Sequence, residues 1–384
     1  MATANQAARA GGPTNRFQFR PATKEQAKAR VALDGPSGSG KTYTGLTIAT
    51  ALGERIAVID TERGSASKYA NEFAFDVLEM THFSPTDLVE ALAAAGAAGY
   101  DAVMVDSLTH FWSGTGGMLE QVDQAAKKGY GNNSFGGWKE ARPMERQMIE
   151  ALVAYPGHVI VTMRSKTDYV LETNDRGKQV PRKVGLKPEQ REGLEYEFDI
   201  VGSMDHENTL VVSKSRAKPL TGAVVKEPTI EFGLQIKEWL EDGTAVEPVE
   251  DLITQAQSPA ATFEDLKDLM GKVRARRVEG APMLVDGQPT TLGAHITERG
   301  KQMLAAQQRA AQPAVAAVPA ANEGVAPAVE EQPAEGQREY LREALDASDA
   351  AAVRAIYMDA QADGAVPEYL EQIAQVGREK AAAA

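Results

Sequence analysis

The feature that most limits how this chain can fold is one octapeptide, Gly35-Pro36-Ser37-Gly38-Ser39-Gly40-Lys41-Thr42, which fits the pattern G-x-x-x-x-G-K-[ST]. A polyphosphate has to be met by several backbone N–H groups at once. Glycines permit positive φ and leave no Cβ in the way. A helix that starts inside the loop turns its partial positive charge toward the same anion. Lys41 adds a mobile cation for the β- and γ-phosphates, and the Thr42 hydroxyl can ligate Mg2+. The pattern needs a strand before it and a helix after it. Arg30–Asp34 reads as the strand, and helical sequence continues to about Leu52. The expected nucleotide-binding set is Gly35, Pro36, Ser37, Gly38, Ser39, Gly40, Lys41 and Thr42, with Tyr43 next in the helix. ATP and Mg2+ are the expected cofactors.

From about Ala29 to Gly243, short apolar segments alternate with helical ones, which predicts an α/β fold: a mainly parallel sheet flanked by helices. Further strands are expected at Arg55–Asp60, Ala102–Asp106, His158–Met163, Glu197–Ser203 and Thr209–Lys214. Their Val and Ile content suits strands buried on both faces. The run Ser84-Pro85-Thr86-Asp87 signals a helix start, and another helix is expected over about Arg142–Ala154.

The chain divides into five expected regions. Residues 1–23 read as a flexible leader, whose Ala- and Gly-rich start does not resemble a signal peptide. Residues 24–245 form the nucleotide-binding core. Residues 246–308 form a partly helical extension, with a helix over Phe263–Arg277 and a hairpin or loop over Gly280–Gly293. Residues 309–337 form an Ala/Pro-rich linker. Residues 338–384 form a small helical module, with Tyr340, Leu341, Leu345, Val353, Ile356, Tyr369 and Ile373 at helical spacing.

Two acidic positions complement the loop. Asp106 ends the apolar run Ala102-Val103-Met104-Val105, where a carboxylate can serve Mg2+ together with Thr42. Glu62 lies just past the strand ending at Asp60. In-line attack on a γ-phosphate needs a group that orients water, and Glu62 reaches further into the crevice than its competitor Asp60.

Three segments taken together, GPSGSGKT (35–42), IDTERGS (59–65) and VMVDS (103–107), resemble the RecA-like core ATPases. The likeness is strongest to phage-encoded AAA nucleotide-binding proteins of the single-strand annealing and recombination group. It extends over about Asn15 to Gly243 and includes GGWKEARP (Gly136–Pro143), VTMRSK (Val161–Lys166) and GLEYEFDIV (Gly193–Val201). The resemblance implies a RecA-like P-loop core that hydrolyses ATP, with Glu62 activating water and Asp106 serving magnesium. Arg164 falls where RecA proteins carry a polar γ-phosphate sensor, a Gln in RecA itself. Lys214 and Arg216 fall near a basic pair that reaches the ATP of a neighbouring subunit, so the resemblance implies a ring or filament. Lys214 and Arg216 also read plainly as part of a solvated basic loop.

Two segments are candidates for single-stranded DNA, because cations pair with phosphates and rings stack on bases. One is a Gly-rich loop over residues 113–138, with Lys127, Lys128, Tyr130, Phe135 and Trp138. The other is 166–191, with Arg176, Lys178, Arg182, Lys183, Lys187 and Arg191 around a turn at Asn174–Gly177. Lids and subunit contacts remain alternative uses of both.

Composition narrows the field further. The net charge of −13 argues against a generic nucleic-acid coat but leaves room for a local basic groove. It also motivates a second class of function, an ATP-dependent scaffold or regulator whose protein partner docks on 338–384. A P-loop kinase for a small molecule is a third, with 166–191 as its lid. The absence of cysteine excludes disulfides, thiol catalysis and Cys-based zinc sites and fits a cytoplasmic setting, the host's if the protein is phage-encoded. The five histidines show no ligand-like spacing. No apolar run reaches the roughly 18 residues of a membrane helix, so no membrane partner is expected.

Overall fold

Strand β1 (Arg30–Gly35) is buried along its whole length and lies inside a nine-stranded sheet. The computed structural model describes residues 21–129, 133–173, 179–311, 340–363, 365 and 367–382. The other strands of the sheet are β2 (Ile56–Asp60), β3 (Asp76–Glu79), β4 (Ala102–Asp106), β5 (His158–Thr173), β6 (Gln179–Pro188), β7 (Ile200–Met204), β8 (Thr209–Ser215) and β9 (Val224–Lys226). The order is β3-β2-β4-β5-β1-β7-β8-β9. The first six of these run parallel, whereas β8 and β9 are antiparallel. Beyond Arg164, β5 continues past the parallel sheet and pairs with β6 as an antiparallel ribbon.

Helices cover both faces, as the double burial of the strands requires. On one face lie α1 (Lys41–Leu52) and α6 (Ile230–Glu241), packed on Val31, Leu33, Val58 and Met104. On the other lie α2 (Pro85–Ala97) and α5 (Ser134–Ala154), packed on Ala32, Val103, Val105 and Val159. Each fully buried Val or Leu here contributes about 1.5–3 kcal/mol over an exposed one. Helix α2 starts at its capping box, where Ser84 Oγ accepts the Asp87 N–H and Asp87 accepts the Ser84 N–H.

The segment 113–138 is mostly helical, not a Gly-rich loop. It contains the end of α3 (Thr109–Ser113), then α4 (Met118–Gly129) and the first turn of α5, while Tyr130 lies outside the described residues. Helix α5 therefore begins eight residues before Arg142, the start predicted from the sequence. The cause is packing. A Cβ at Gly137 would sit 2.3 Å from the Val122 carbonyl oxygen, so this glycine, which reads as a loop former, lets two helices approach closely. Asn133 caps the helix by accepting the Phe135 N–H at 3.0 Å.

Residues 246–308 are also ordered. Helices α7 (Val249–Gln257), α8 (Phe263–Ala275) and α9 (Leu292–Ala311), with a hairpin of β10 (Pro282–Val285) and β11 (Gln288–Thr291), enclose Leu252, Leu266, Leu269, Val273 and Ile296. This cluster joins Ala154 at the end of α5. The described residues from 340 to 382 belong to a separate compact unit. Its described helices α10 (Tyr340–Asp346), α11 (Ala350–Ala362) and α12 (Pro367–Ala382) enclose Tyr340, Ala344, Val353, Ile373 and Val376. Three sequence expectations fall wholly or mostly outside the described residues: the leader as far as Arg20, the linker from Gln312 onward, and the turn at 174–178 with Arg176 and Lys178. Among the described residues, no helix is long and apolar enough to cross a membrane.

Candidate active site

The carboxyl-terminal ends of β1, β2 and β4 meet the point where β5 leaves the parallel sheet, at one edge where Gly35 pairs with Arg164 and Asp60 with Asp106. The octapeptide leaves β1 at this edge. Gly38 and Gly40 have φ of 76° and 82°, conformations closed to most side-chain-bearing residues. Gly35 has no room for a side chain, since a Cβ there would lie 2.6 Å from the Met204 carbonyl oxygen. Gly40 is the N-cap of α1 and supplies no side-chain cap, so the first-turn N–H groups stay available to an anion.

Lys41 Nζ donates to the Gly35 and Pro36 carbonyls, at 2.9 and 2.7 Å. Burial lowers the pKa of its ammonium, while the charges of Asp106, Glu62 and Asp34 oppose that shift. Thr42 Oγ1 donates to Asp106 Oδ2 at 2.7 Å, and the Thr162 hydroxyl donates to the other Asp106 oxygen. Asp106 is 2% exposed, and burial raises its pKa. Asp34, just before the loop, is likewise raised by burial and held by the hydroxyls of Ser165 and Ser203, both at 2.9 Å.

Asp60 and Glu62 now separate. Asp60 is fully buried and accepts the N–H groups of Glu62 and Ala66, at 2.6 and 3.1 Å. It shapes the turn that carries Glu62. Glu62 Oε1 instead meets Arg164 Nε at 3.0 Å in a partly exposed pair. Arg164 is fixed through its own N–H, which donates to Thr109 Oγ1 at 2.9 Å. Behind them, Thr61 Oγ1 accepts the Ser107 N–H at 2.7 Å and lies 2.6 Å from His110 Nδ1. Burial, followed by the charge of Arg164, holds His110 below the usual histidine range.

A model of the AAA domain family designated AAA_24 matches residues 27–227, just over half of the sequence. The chain belongs to that family. No curated protein matches the sequence. The AAA domain match spans every residue just described and identifies a P-loop ATPase-type nucleotide-binding domain. Such domains work with ATP and magnesium, and the donors at this edge fit a hard cation. Thr42 and Asp106 present hydroxyl and carboxylate oxygens, and no cluster of three or more His, Cys, Asp or Glu suited to a metal occurs among the described residues. A cation held by few protein oxygens plus substrate phosphates matches the habits of Mg2+.

The AAA domain thus gathers Gly35 to Tyr43, Thr42, Asp106, Glu62 and Arg164 at one sheet edge. It does not bring Lys214 and Arg216 there. The antiparallel course of β8 sets Lys214 opposite Val201 and Ser215 opposite Ile200, level with the start of β1 and at the far end from the loop. All three Lys214 hydrogens go to carbonyls, those of Glu195, Tyr196 and Phe198. Arg216 pairs with Asp199 at 2.7 Å. Sequence reasoning missed Asp34, Thr61, His110, Thr162 and Ser165. Asp34 and Thr162 did carry a signal, as polar residues inside otherwise apolar strands, whereas His110 carried none.

Proposed function

We propose that the chain is a Mg2+-dependent ATPase of RecA-like type that acts on single-stranded DNA in recombination, annealing or repair of the phage kind. The observation that carries the hydrolytic part is the grouping of Lys41, the Thr42–Asp106 pair and the Glu62–Arg164 pair around one glycine loop. Lys41 leaves the two loop carbonyls to meet the β- and γ-phosphates. Thr42 and Asp106 would hold the magnesium, which would supply neutralisation of phosphate charge when bound. Arg164 moves from Glu62 to the γ-phosphate, and this frees the carboxylate. Glu62 then orients a water and takes its proton as the oxygen attacks phosphorus and the bond to ADP breaks. Lys41→Ala should abolish turnover. Glu62→Gln should keep ATP binding and lower kcat by 100-fold or more, on the order of general-base contributions. Full turnover in Glu62→Gln would falsify this role.

For DNA, the support comes from α5 and not from a loop. Phe135, Lys139, Arg142 and Arg146 follow one another at helical spacing, and Phe135 is 80% exposed. The three cations make no ion pair among the described residues. They span roughly 16 Å of helix with the ring, enough for a few nucleotides. Binding of a labelled single-stranded oligonucleotide should weaken steeply with salt, and changing all three cations to Ala should flatten that dependence. Absence of binding with and without ATP favours the second reading, a scaffold whose partner docks on 340–382, where Leu345 and Met358 are each 58% exposed.

A further inference from the structure

A cavity of about 730 Å³ opens beside the phosphate loop, and neither Glu62 nor Arg164 lines it. Gly38 and Gly40 border it, together with Tyr43, Thr44 and Thr47 from the first two turns of α1. Its wall is aromatic. Tyr43 meets Tyr69 with ring centroids 5.7 Å apart at 74°, and Phe73 at 5.1 Å and 76°. Tyr43 keeps 41% of its surface exposed although it follows directly on the phosphate loop. An exposed ring in that position leaves a face open to a planar partner.

Asn208 also lines the cavity. Asn208 sits in the left-handed region with φ of 58°, in the turn between β7 and β8. Its N–H donates to the Asp205 carbonyl at 3.2 Å, and its carbonyl accepts the Glu227 N–H at 2.9 Å. Its carboxamide makes no hydrogen bond among the described residues. A Cβ on Gly40 would fall 2.9 Å from Asn208 Oδ1, so the carboxamide lies directly against the loop.

We infer that this cavity is the nucleobase pocket of the nucleotide site and that it selects adenine. The inference rests on the nucleotide reading given above. A base has apolar faces and a hydrogen-bonding rim, and the cavity offers rings for the faces and one free carboxamide for the rim. An Asn carboxamide matches adenine in both bonds, accepting from N6–H2 and donating to N7. Guanine presents acceptors at both N7 and O6, so one of the two bonds is lost. Tyr43, Tyr69 and Phe73 hold the base, and Asn208 decides which purine fits.

Calorimetry of the full chain with magnesium and three probes, ADP, GDP and pyrophosphate, tests this without turnover. The unmodified chain should bind ADP about tenfold or more tightly than GDP. Tyr43→Ala should weaken ADP about tenfold or more, the scale of ring-on-base stacking, and leave pyrophosphate unchanged. Tyr43→Phe should keep ADP affinity, which guards against a merely misfolded Tyr43→Ala. Asn208→Gly, which tolerates the same φ, should bring ADP and GDP to similar affinities. Unaltered ADP affinity in Tyr43→Ala overturns the pocket and spares the nucleotide reading. So does an equal loss of ADP and pyrophosphate, because the ring then acts by shaping the loop. Failure of the unmodified chain to bind either ADP or pyrophosphate overturns the nucleotide reading itself, and the pocket with it.

Discussion

At the amino-terminal end of the sheet, the buried Arg30 guanidinium donates to the carbonyls of Ala29, Val153, Tyr155 and Gly157, and Asp101 accepts the N–H groups of Glu54 and Arg55. At the carboxyl-terminal end, Asp106 and Asp34 are held by hydroxyls, and Lys41 rests on two loop carbonyls. The first set of bonds ties charges to fixed backbone. Arg30 in addition satisfies carbonyls at the end of α5, where a cation also suits the helix dipole. The second set consists of neutral partners that an incoming anion or cation can displace at small cost. Burial raises both Asp34 and Asp106 and lowers Lys41, so the charges at this end are poorly stabilised in the free chain. In the proposed reading, a triphosphate would supply the missing counter-charge for Lys41 and its magnesium that for Asp106. One end of the sheet is built to be finished by folding, the other by a ligand.

The largest effect that separates the ends is Arg30→Met. Burial pushes the Arg30 pKa down to about 10, so it remains charged at neutral pH. Removing it strands several buried carbonyls and should lower the unfolding free energy by about 3–5 kcal/mol. ATP turnover per folded molecule should stay the same. Chemical denaturation and a turnover assay check both parts. A stable Arg30→Met protein with impaired turnover would break the distinction between the ends.

A smaller effect comes from His158, at the start of β5. Burial, with the charges of Lys28 and Arg30 adding to it, pushes its pKa down to about 3, and Nδ1 accepts the Ala29 N–H at 3.0 Å. Between pH 6.5 and about 3 the unfolded chain holds a proton that the folded chain lacks. Stability from this residue is therefore present above pH 6.5 and is lost as pH falls. It should drop by roughly 2 kcal/mol from pH 7 to pH 5. His158→Gln keeps an acceptor for Ala29 and removes the titration, so its acid limb should be flatter by that amount. An unchanged limb would show that the proton uptake lies elsewhere.

The two ends also differ in how far the sequence disclosed them. The loop, Asp106 and Glu62 were legible because phosphate chemistry demands dense, unusual residue choices at short spacing. The sequence already favoured Glu62 over Asp60 by its place past the strand end, and the turn adds that both Asp60 oxygens accept N–H groups. Gly137 misled because a glycine needed for close helix packing looks the same in sequence as one needed for a loop. Strand β3, Asp-Val-Leu-Glu, is exposed at all four positions and carries no buried-strand pattern. Lys214 and Arg216 were visible as cations, but nothing in their composition shows that β8 runs antiparallel. That reversal sets them at the far end of the sheet from the chain's own phosphate loop, a placement that bears on this chain's site and not on a neighbouring subunit's.

Arg216 gives the smallest effect and the sharpest test of the contrast. Its pair with Asp199 is half exposed, so Arg216→Ala should cost about 1 kcal/mol or less of stability. If this end of the sheet serves only folding, ATP turnover per molecule should match the unmodified chain at every protein concentration. A subunit that reached into its neighbour's site would behave differently. Its turnover would rise with concentration in the unmodified chain, and Arg216→Ala would remove that rise while melting normally. To do so, Arg216 would have to leave Asp199 Oδ1 at 2.7 Å and the Tyr196 carbonyl at 3.1 Å. Lys214 would have to abandon three carbonyls, and burial already lowers its pKa. Because Arg216 has fewer bonds to break, the single change at Arg216 decides between a structural and a trans-acting cation more cleanly than any change at Lys214.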